Sequence, residues 1–206
     1  MKLIHQSAVL EQVTPDALRL IERAGRVCYK SEDKIEPGSA ERFVKMLLGR
    51  GHLSVLEHAS ATIRFVTDRG ITHEMVRHRL AAYSQESTRY CNYGGQEIEF
   101  VYPEDADGQI ALADGALELW KDAMGQLEIA YKELLHKGVP PQMARSVLPN
   151  SLKTEIVMTA NFREWRHVFK MRLDKAAHPS MWRLMGMAEG QLHIVCPEVF
   201  TEPYTG

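Results

Sequence analysis

A short segment at residues 77–90, RHRLAAYSQESTRY, combines cationic side chains with hydroxyl and amide groups. Its arginines are Arg77, Arg79 and Arg89, and its hydroxyl and amide groups belong to Ser84, Gln85, Ser87 and Thr88. A guanidinium group forms paired hydrogen bonds with phosphate oxygens, whereas hydroxyls and amides can bind the polar edge of a base. The segment therefore predicts a site for a phosphate and the polar edge of a base.

The same residues also have an ordinary structural explanation. Glu74 precedes Arg77 by three residues and His78 by four, so it could pair with either on a helix. Exposed pairs of this kind are common and contribute little stability. Isolated hydroxyls often cap loops. The combination of these residue types, rather than any one of them, indicates a binding site.

A helix is predicted to position the start of this segment. It would cover residues 73–83, with Thr72 as its cap, and residues 84–90 would form a loop at its exit. The predicted packing residues of this helix are Met75, Val76, Leu80 and Tyr83. Helical residues advance by about 100° each, so residues 77–79 would spread across about 200° of the circumference. Either some of these charges simply lie in solvent, or polar partners surround the helix on several sides. The second alternative predicts active sites between subunits of an oligomer.

The remaining periodicity predicts an α+β fold in which helices surround an antiparallel sheet. The predicted strands are residues 1–11, 61–66, 97–102 and 151–161. The other predicted helices are residues 17–29, 40–50, 115–138, 141–148, 162–174 and 178–195. We expect Thr14 and Ser39 to cap the first two of these helices.

Further arginines lie in or beside apolar helical segments downstream, namely Arg145, Arg163, Arg166 and Arg172. Each could simply extend its charged end into water. Arg145 differs because it interrupts a short segment between prolines, where there is little room for a charge without a partner. A ligand phosphate is one group that could compensate it.

The composition of the chain limits the classes of function. At 206 residues with 45% hydrophobic content, the chain predicts a single domain over residues 1–206. A formal net charge of −2 gives no general attraction to nucleic acid or to an anionic membrane. Three widely spaced cysteines predict neither a disulfide framework nor a metal pair. The sequence contains neither a signal peptide nor a long apolar run, so we expect a cytoplasmic protein that does not interact with membranes.

Two other classes of function remain open at this point. A nucleic-acid-binding module could bind phosphates with the same arginine cluster, although the overall acidity and the lack of an RNA-binding motif weigh against it. A metallohydrolase could use His52, His58 and His73. Their spacing forms no recognised zinc pattern, so we expect no metal site.

The pattern Arg-His-Arg, seven residues, Ser in residues 77–87 resembles the signature of the flavin-dependent thymidylate synthases. Three further segments resemble that family in the same order: RGHLSVLEH, GVPPQMARSVLP and TANFREWRHVFKMRLDKAAHPS. The four segments extend over roughly residues 50–180. This resemblance implies a homotetramer that methylates dUMP to dTMP, with methylenetetrahydrofolate as carbon donor, FAD as hydride carrier and NADPH as reductant.

The resemblance also implies roles for individual residues. The implied FAD-binding residues are Ser54, Arg77, His78, Arg79, Gln85, Asn161, Arg163 and His167. The implied dUMP-binding residues are Glu74, Arg77, Gln85, Glu86, Ser87, Thr88, Arg89, Arg145 and Arg172. Arg172, Ser87 and His52 are the implied catalytic residues: Arg172 beside the uracil ring, Ser87 positioning the nucleotide, and His52 near the flavin and folate.

Two positions depart from the family pattern. Glu74 and His167 stand where relatives frequently carry glutamine and asparagine, respectively. Because an acid near a phosphate would repel it, Glu74 could instead orient Arg77 or Arg89. The cysteine-dependent route to the same product would need a reactive thiol held by histidine and arginine. The sequence predicts no such setting for Cys28, Cys91 or Cys196.

Overall fold

The computed structural model describes residues 1–204, apart from the side chain of residue 114. Its strands within that range are β1 Lys2–Ile4, β2 Ser7–Val13, β3 Ser60–Asp68, β4 Ala81–Gln85, β5 Glu99–Val101 and β6 Lys153–Asn161. Its α-helices are α1 Ala17–Tyr29, α2 Ser39–Gly49, α3 Arg69–Met75, α4 Asp114–His136, α5 Pro141–Ala144, α6 Phe162–Arg172 and α7 Pro179–Val195. Short 3-10 turns cover Glu32–Lys34, Ser54–His58 and Arg145–Val147.

The central sheet has the strand order β2-β3-β6-β4, and every neighbouring pair is antiparallel. β3 and β6 alternate fully buried residues with less buried ones, because successive side chains of a strand point to opposite faces. Helices pack on the buried face. The predicted α+β fold with an antiparallel sheet is therefore confirmed.

The main core fills the space between the buried sheet face and the helices. Ile63, Phe65 and Ile156 line the sheet side of this core, and Trp165 and Phe169 of α6 meet them. Trp165 is fully buried, and its indole nitrogen donates to the Ala61 carbonyl at 3.1 Å. Burying an aromatic side chain contributes about 2–3 kcal/mol. α6 is thus fixed firmly to the sheet, and its polar residues are held in defined positions.

A second hydrophobic cluster lies between α4 and a small sheet. β1 and β5 pair in parallel, from Lys2 opposite Glu99 to Ile4 opposite Val101. Phe100 and Tyr131 are fully buried members of this cluster. The predicted long helix is found here as α4, and the strand predicted over residues 97–102 is found as the shorter β5. The parallel pair was not predicted.

The prediction of one strand over residues 1–11 is wrong. β1 belongs to the two-stranded sheet, whereas β2 belongs to the central sheet. Between them Gln6 is buried, its amide nitrogen donating to the Ser180 carbonyl at 2.8 Å and its oxygen accepting from Thr67 at 3.2 Å. These interior hydrogen bonds separate two strands that share one apolar pattern.

The expected helix caps are also corrected. The Thr14 hydroxyl donates to the Ser60 carbonyl at 3.2 Å, so it joins β3 to the start of α1 instead of capping the helix. Ser39 is the first residue of α2, and its hydroxyl donates to the buried Glu22 at 2.7 Å. Both hydroxyls therefore make tertiary contacts.

The predicted helix over residues 73–83 is wrong in both position and length. α3 begins at Arg69 because the Asp68 carboxylate, not Thr72, caps it by accepting from the Ile71 amide at 2.7 Å. α3 ends at Met75, and β4 follows after a turn. The Tyr83 hydroxyl lies 2.7 Å from the Met75 carbonyl oxygen and 2.9 Å from that of His78, which stabilises the turn.

Residues 77–79 therefore occupy a turn and do not spread around a helix. Two of the predicted packing residues are exposed, Val76 at 39% and Leu80 at 77%. Met75 is buried as predicted, and Tyr83 is half-buried. Within residues 1–204, no helix combines the length and the apolar character that a membrane crossing requires.

Candidate active site

Arg172, the last residue of α6, forms hydrogen bonds with Glu74 in α3 and with His78 in the turn that follows α3. One terminal nitrogen donates to the Glu74 carboxylate at 2.9 Å, and the other donates to the Glu74 carbonyl at 3.0 Å. The Nε atom donates to His78 Nε2 at 2.9 Å. A guanidinium has five donors in a fixed plane, so these three contacts define its orientation.

The imidazole of His78 is neutral in this environment. Its residue is only 8% exposed, and burial lowers its pKa to about 4, with Arg172 and then His167 contributing in the same direction. A neutral ring can accept a hydrogen bond at one nitrogen, as the contact from Arg172 requires. His78 and Arg172 therefore sit side by side without repulsion between two cations.

Glu74 pairs with Arg172, and this differs from the predicted pairing. The sequence suggested Arg77 or His78 as its helical partner, or an orienting contact with Arg77 or Arg89. Because α3 ends at Met75, Glu74 lies in the last turn of the helix and its carboxylate faces α6. The negative charge of Glu74 thus compensates the positive charge of Arg172, the residue that was predicted to lie beside the uracil ring.

The segment from Gln85 to Arg89 is held by side-chain contacts along its length. The Gln85 amide nitrogen lies 3.0 Å from the Thr72 hydroxyl and 3.3 Å from the Thr154 hydroxyl. Glu86 accepts from the Tyr93 hydroxyl at 2.7 Å and from Lys153 at 3.3 Å. The segment is therefore attached to β6 and to the second hydrophobic cluster.

The far end of this segment meets the proline-bounded arginine. Arg145 donates to the Thr88 hydroxyl at 3.0 Å, and Thr88 is buried. The Ser87 hydroxyl accepts from the Arg89 amide at 3.3 Å, and the Arg89 guanidinium lies 5.5 Å from the centre of the Tyr90 ring. The structure thus brings Thr88 and Arg145 together, although 57 residues separate them in the chain.

A cavity of about 520 Å³ opens beside His167, whose ring lies near that of His78. Its polar lining includes Asn161, Arg163, Glu164, Arg166, His167 and Lys170, and Leu53 and Leu80 add apolar surface. The His167 and His78 rings lie edge to face, with centres 5.9 Å apart. Three of the residues that the family resemblance links to FAD therefore share one cavity.

A neighbouring cavity of about 350 Å³ contains two more of the predicted residues. His52 and Ser54 line it together with Arg163, which also lines the larger cavity. His52 Nδ1 lies 3.1 Å from the Tyr29 hydroxyl, and Arg163 donates to Glu57 at 2.6 Å. The two cavities thus share one cationic wall.

Comparison with known proteins identifies the family. The family model described as thymidylate synthase complementing protein matches residues 9–198. The chain belongs to this family. Similar relatives include the flavin-dependent thymidylate synthase of Geobacter sulfurreducens, 34% identical over 207 residues that cover 96% of this chain and 86% of the relative. The flavin-dependent thymidylate synthase of Mycobacterium tuberculosis is 37% identical over 198 residues, covering 89% and 78%.

A solved structure shares the fold. The crystal structure of the UMP/dUMP methylase PolB from Streptomyces cacaoi, bound with 5-Br dUMP, matches with a TM-score of 0.80 and 22% identity. The match covers 97% of this chain and 95% of that protein. Family membership confirms the predicted class: the chain is an enzyme of the flavin-dependent thymidylate synthase family, hence a methyltransferase. A nucleic-acid-binding module would not account for a family match over residues 9–198.

Some predicted site residues are not brought together within one chain of this family member. Arg77 and Arg79 are exposed and do not line either cavity, and Arg89 is also exposed. Among the side chains that the structure describes in residues 1–204, no group of three or more histidine, cysteine, aspartate or glutamate residues is arranged to hold a metal ion.

That no reactive thiol is held by histidine and arginine stays a prediction for Cys28. Cys28 is exposed and lines the smaller cavity together with His52 and Arg163. Cys196 has the opposite setting, because burial raises the pKa of its thiol to about 12. A thiol with so high a pKa remains protonated and is a poor nucleophile at neutral pH.

Sequence patterns did not indicate Glu164, Tyr93 or Lys153, and they indicated Tyr83 only as a packing residue. Glu164 follows the Asn161 cap in the first turn of α6, where an acid is expected simply because it interacts well with the helix dipole. Its spacing of three residues from His167 was the one available signal that it faces the same side. Tyr83 acts through the turn carbonyls of Met75 and His78, and Tyr93 and Lys153 act through Glu86, which local sequence patterns do not reveal.

Proposed function

We propose that this enzyme reductively methylates dUMP to dTMP, using FAD, methylenetetrahydrofolate as carbon donor and NADPH as reductant. We further propose that residues 1–206 act as one domain in a cytoplasmic homotetramer. One observation carries the proposal: Arg172, the residue predicted to lie beside the uracil ring, donates to His78, and the His78 ring lies 5.9 Å from that of His167 in the cavity lined by Asn161 and Arg163. A predicted nucleotide-binding residue is therefore linked to the predicted flavin cavity through His78.

The proposed phosphate site uses Arg145 and Arg89, with Ser87 positioning the nucleotide. The Thr88 hydroxyl already orients Arg145 at 3.0 Å. A fixed guanidinium loses less conformational entropy on binding a phosphate than a mobile one. Glu86, Gln85 and Arg77 complete the proposed contacts with dUMP.

The proposed role of Arg172 is to polarise the uracil ring. A cation beside the ring nitrogen between the two carbonyls stabilises the ionised ring and increases the electron density of the adjacent double bond for attack on the carbon electrophile. The neutral state of His78 supports this role, since a protonated imidazole at 2.9 Å would repel Arg172. Glu74 keeps the guanidinium in place from the other side.

The larger cavity has donors that fit FAD. Arg163 and Arg166 are cations suited to the pyrophosphate, Asn161 and His167 add neutral polar groups, and Leu53 offers an apolar surface to a flat ring. When bound, the flavin carries hydride equivalents from NADPH to the one-carbon unit. Ser54 and His52 extend the proposed site into the smaller cavity, where His52 would contact the flavin and folate.

The exposed residues of the motif support an assembly in which copies of the chain complete each site. Arg77 and Arg79 are exposed in a single chain, and Leu80 beside the larger cavity is 77% exposed. Neighbouring copies would supply partners for these residues. The two arginines, with His78, are proposed FAD contacts across subunit boundaries, and mass measurement in solution by light scattering tests the tetramer.

The decisive experiment is tritium release from dUMP labelled at ring carbon five. We expect release that requires both FAD and NADPH, because replacement of the ring hydrogen follows carbon transfer. Omission of each cofactor in turn provides the internal control. Absence of release from the complete mixture would refute the proposal. Salt-sensitive binding to oligonucleotides without a response to dUMP would favour a nucleic-acid-binding module instead.

A further inference from the structure

A buried carboxylate faces the side of His78 opposite to Arg172. Glu164 is 6% exposed and lies in the first turn of α6, and its Oε1 atom is 3.7 Å from His78 Nδ1. It also lines the larger cavity together with His167. Burying a carboxyl group is costly unless a nearby group interacts with it. The imidazole of His78 is such a group.

The contact with Arg172 shows which nitrogen of His78 carries the hydrogen. An arginine Nε is always a donor, so His78 Nε2 must be the acceptor at 2.9 Å. A neutral imidazole has one hydrogen, which then belongs to Nδ1. The N–H group of Nδ1 consequently lies on the side that faces the Glu164 carboxyl group. At 3.7 Å the interaction is electrostatic rather than a hydrogen bond.

We propose that Glu164 is a positioning residue that holds His78 as the Nδ1–H tautomer and thereby fixes the guanidinium of Arg172. The four side chains Glu74, Arg172, His78 and Glu164 then form a continuous polar chain from α3 to the edge of the larger cavity. Glu164 acts through His78 and is not assigned a contact with substrate. The effect of this arrangement on turnover rests on the proposed function, whereas the tautomer does not.

Two substitutions test separately the oxygen of Glu164 that faces His78 Nδ1 and the negative charge of Glu164. Glu164→Gln keeps an oxygen that can face the Nδ1–H group, whereas Glu164→Leu removes it and leaves a side chain of similar size. We expect Glu164→Leu to lower the maximal rate of tritium release about tenfold, as expected for a small misplacement of a reacting group. Glu164→Gln should retain most of the rate. The KM for dUMP should change less than about twofold, because Arg145 and Thr88 are unaffected.

Stability distinguishes positioning from a purely structural role. Replacing a buried carboxyl group by a hydrophobic side chain is often neutral or stabilising. We therefore expect Glu164→Leu to unfold at the same temperature as the parent enzyme or a higher one while being less active. Glu133→Gln, which removes an exposed carboxylate on α4, is the control for charge alone and should change neither property.

The tautomer can be measured without any catalytic turnover. In ¹⁵N-histidine-labelled enzyme, with the His78 signals assigned by their loss in His78→Gln, Nδ1 should appear protonated and Nε2 unprotonated. Glu164→Leu should shift both signals towards averaged values, and Glu164→Gln should not. A protonated Nε2 in the parent enzyme, or unchanged signals and rate in Glu164→Leu, would overturn the inference. If the parent enzyme releases no tritium but shows the expected tautomer, the proposed function fails and the inference about His78 stands.

Discussion

Replacing Glu74 by glutamine should strengthen the binding of dUMP. The Glu74 carboxylate interacts with Arg172 at 2.9 Å, and the two side chains are 40% and 20% exposed. A partly exposed pair of this kind is worth up to about 1 kcal/mol. In the proposed complex the uracil ring would share the guanidinium with this carboxylate, so removing the negative charge should release that interaction for the nucleotide.

The geometry of Arg172 should survive this substitution. Its second terminal nitrogen donates to the carbonyl oxygen of residue 74 at 3.0 Å, which does not depend on the side chain. A glutamine oxygen can also accept the first hydrogen bond. A gain of about 1 kcal/mol corresponds to a dissociation constant for dUMP lower by about fivefold.

Isothermal titration calorimetry of the FAD-loaded enzyme with dUMP measures this change. Glu133→Gln removes a distant exposed carboxylate and serves as the matched control for net charge. If Glu74→Gln bound dUMP more weakly than the parent while Glu133→Gln did not, Glu74 would be a direct ligand of the nucleotide. The reasoning that it competes for Arg172 would then be refuted.

Four further predictions follow from other contacts. Arg145→Lys should raise the dissociation constant of dUMP by about tenfold or more, because lysine cannot provide a guanidinium fork; binding of deoxyuridine, which lacks the phosphate, should be unchanged. The pKa of His78 is lowered from 6.5 to about 4 in the folded protein. As the pH falls, the unfolded chain therefore takes up a proton at a higher pH than the folded protein does, and the free energy of unfolding decreases. The free energy of unfolding measured in urea should therefore decrease by about 2 kcal/mol between pH ~7.5 and ~5, and this decrease should be absent in His78→Gln. Protonation of nearby carboxyl groups changes the free energy in the opposite direction, and because both proteins contain these groups, the comparison isolates the histidine. In thermal unfolding, Gly25→Ala should destabilise the fold by about 1–3 kcal/mol, because the added Cβ would lie 2.7 Å from a ring carbon of Phe43 in α2. Gly125→Ala should stabilise the fold by about 0.5–1 kcal/mol, because a Cβ added there would meet no atom within 4 Å outside the local helix backbone. Cys28→Ser should leave tritium release unchanged within about twofold, and a complete loss would indicate a thiol nucleophile in the smaller cavity.

The sequence predicted the longer elements and the family well. α1, α4, α6, α7 and β6 follow clear hydrophobic periodicity, and the structure contains all of them close to the predicted bounds. These elements are largely stabilised by the burial of one apolar face, and that face is visible in the spacing of residues. The same elements hold Arg172, Asn161 and His167.

The centre of the motif was predicted less well because tertiary contacts override local preference there. Residues 73–83 have a helical pattern, yet α3 begins four residues earlier at Arg69, and β4 completes the sheet beside β6. The hydroxyl of Tyr83 stabilises the turn between them. The pairing of Glu74 with Arg172 depends on this rearrangement, since a continuous helix would have favoured pairs with Arg77 or His78.

The shared wall of the two cavities has a thermodynamic consequence. One guanidinium, that of Arg163, faces both spaces and is already paired with Glu57 at 2.6 Å. A ligand in either space that draws this cation towards itself changes the field in the other. Such coupling is reciprocal, so the affinities of two ligands bound on either side of Arg163 must change by the same factor.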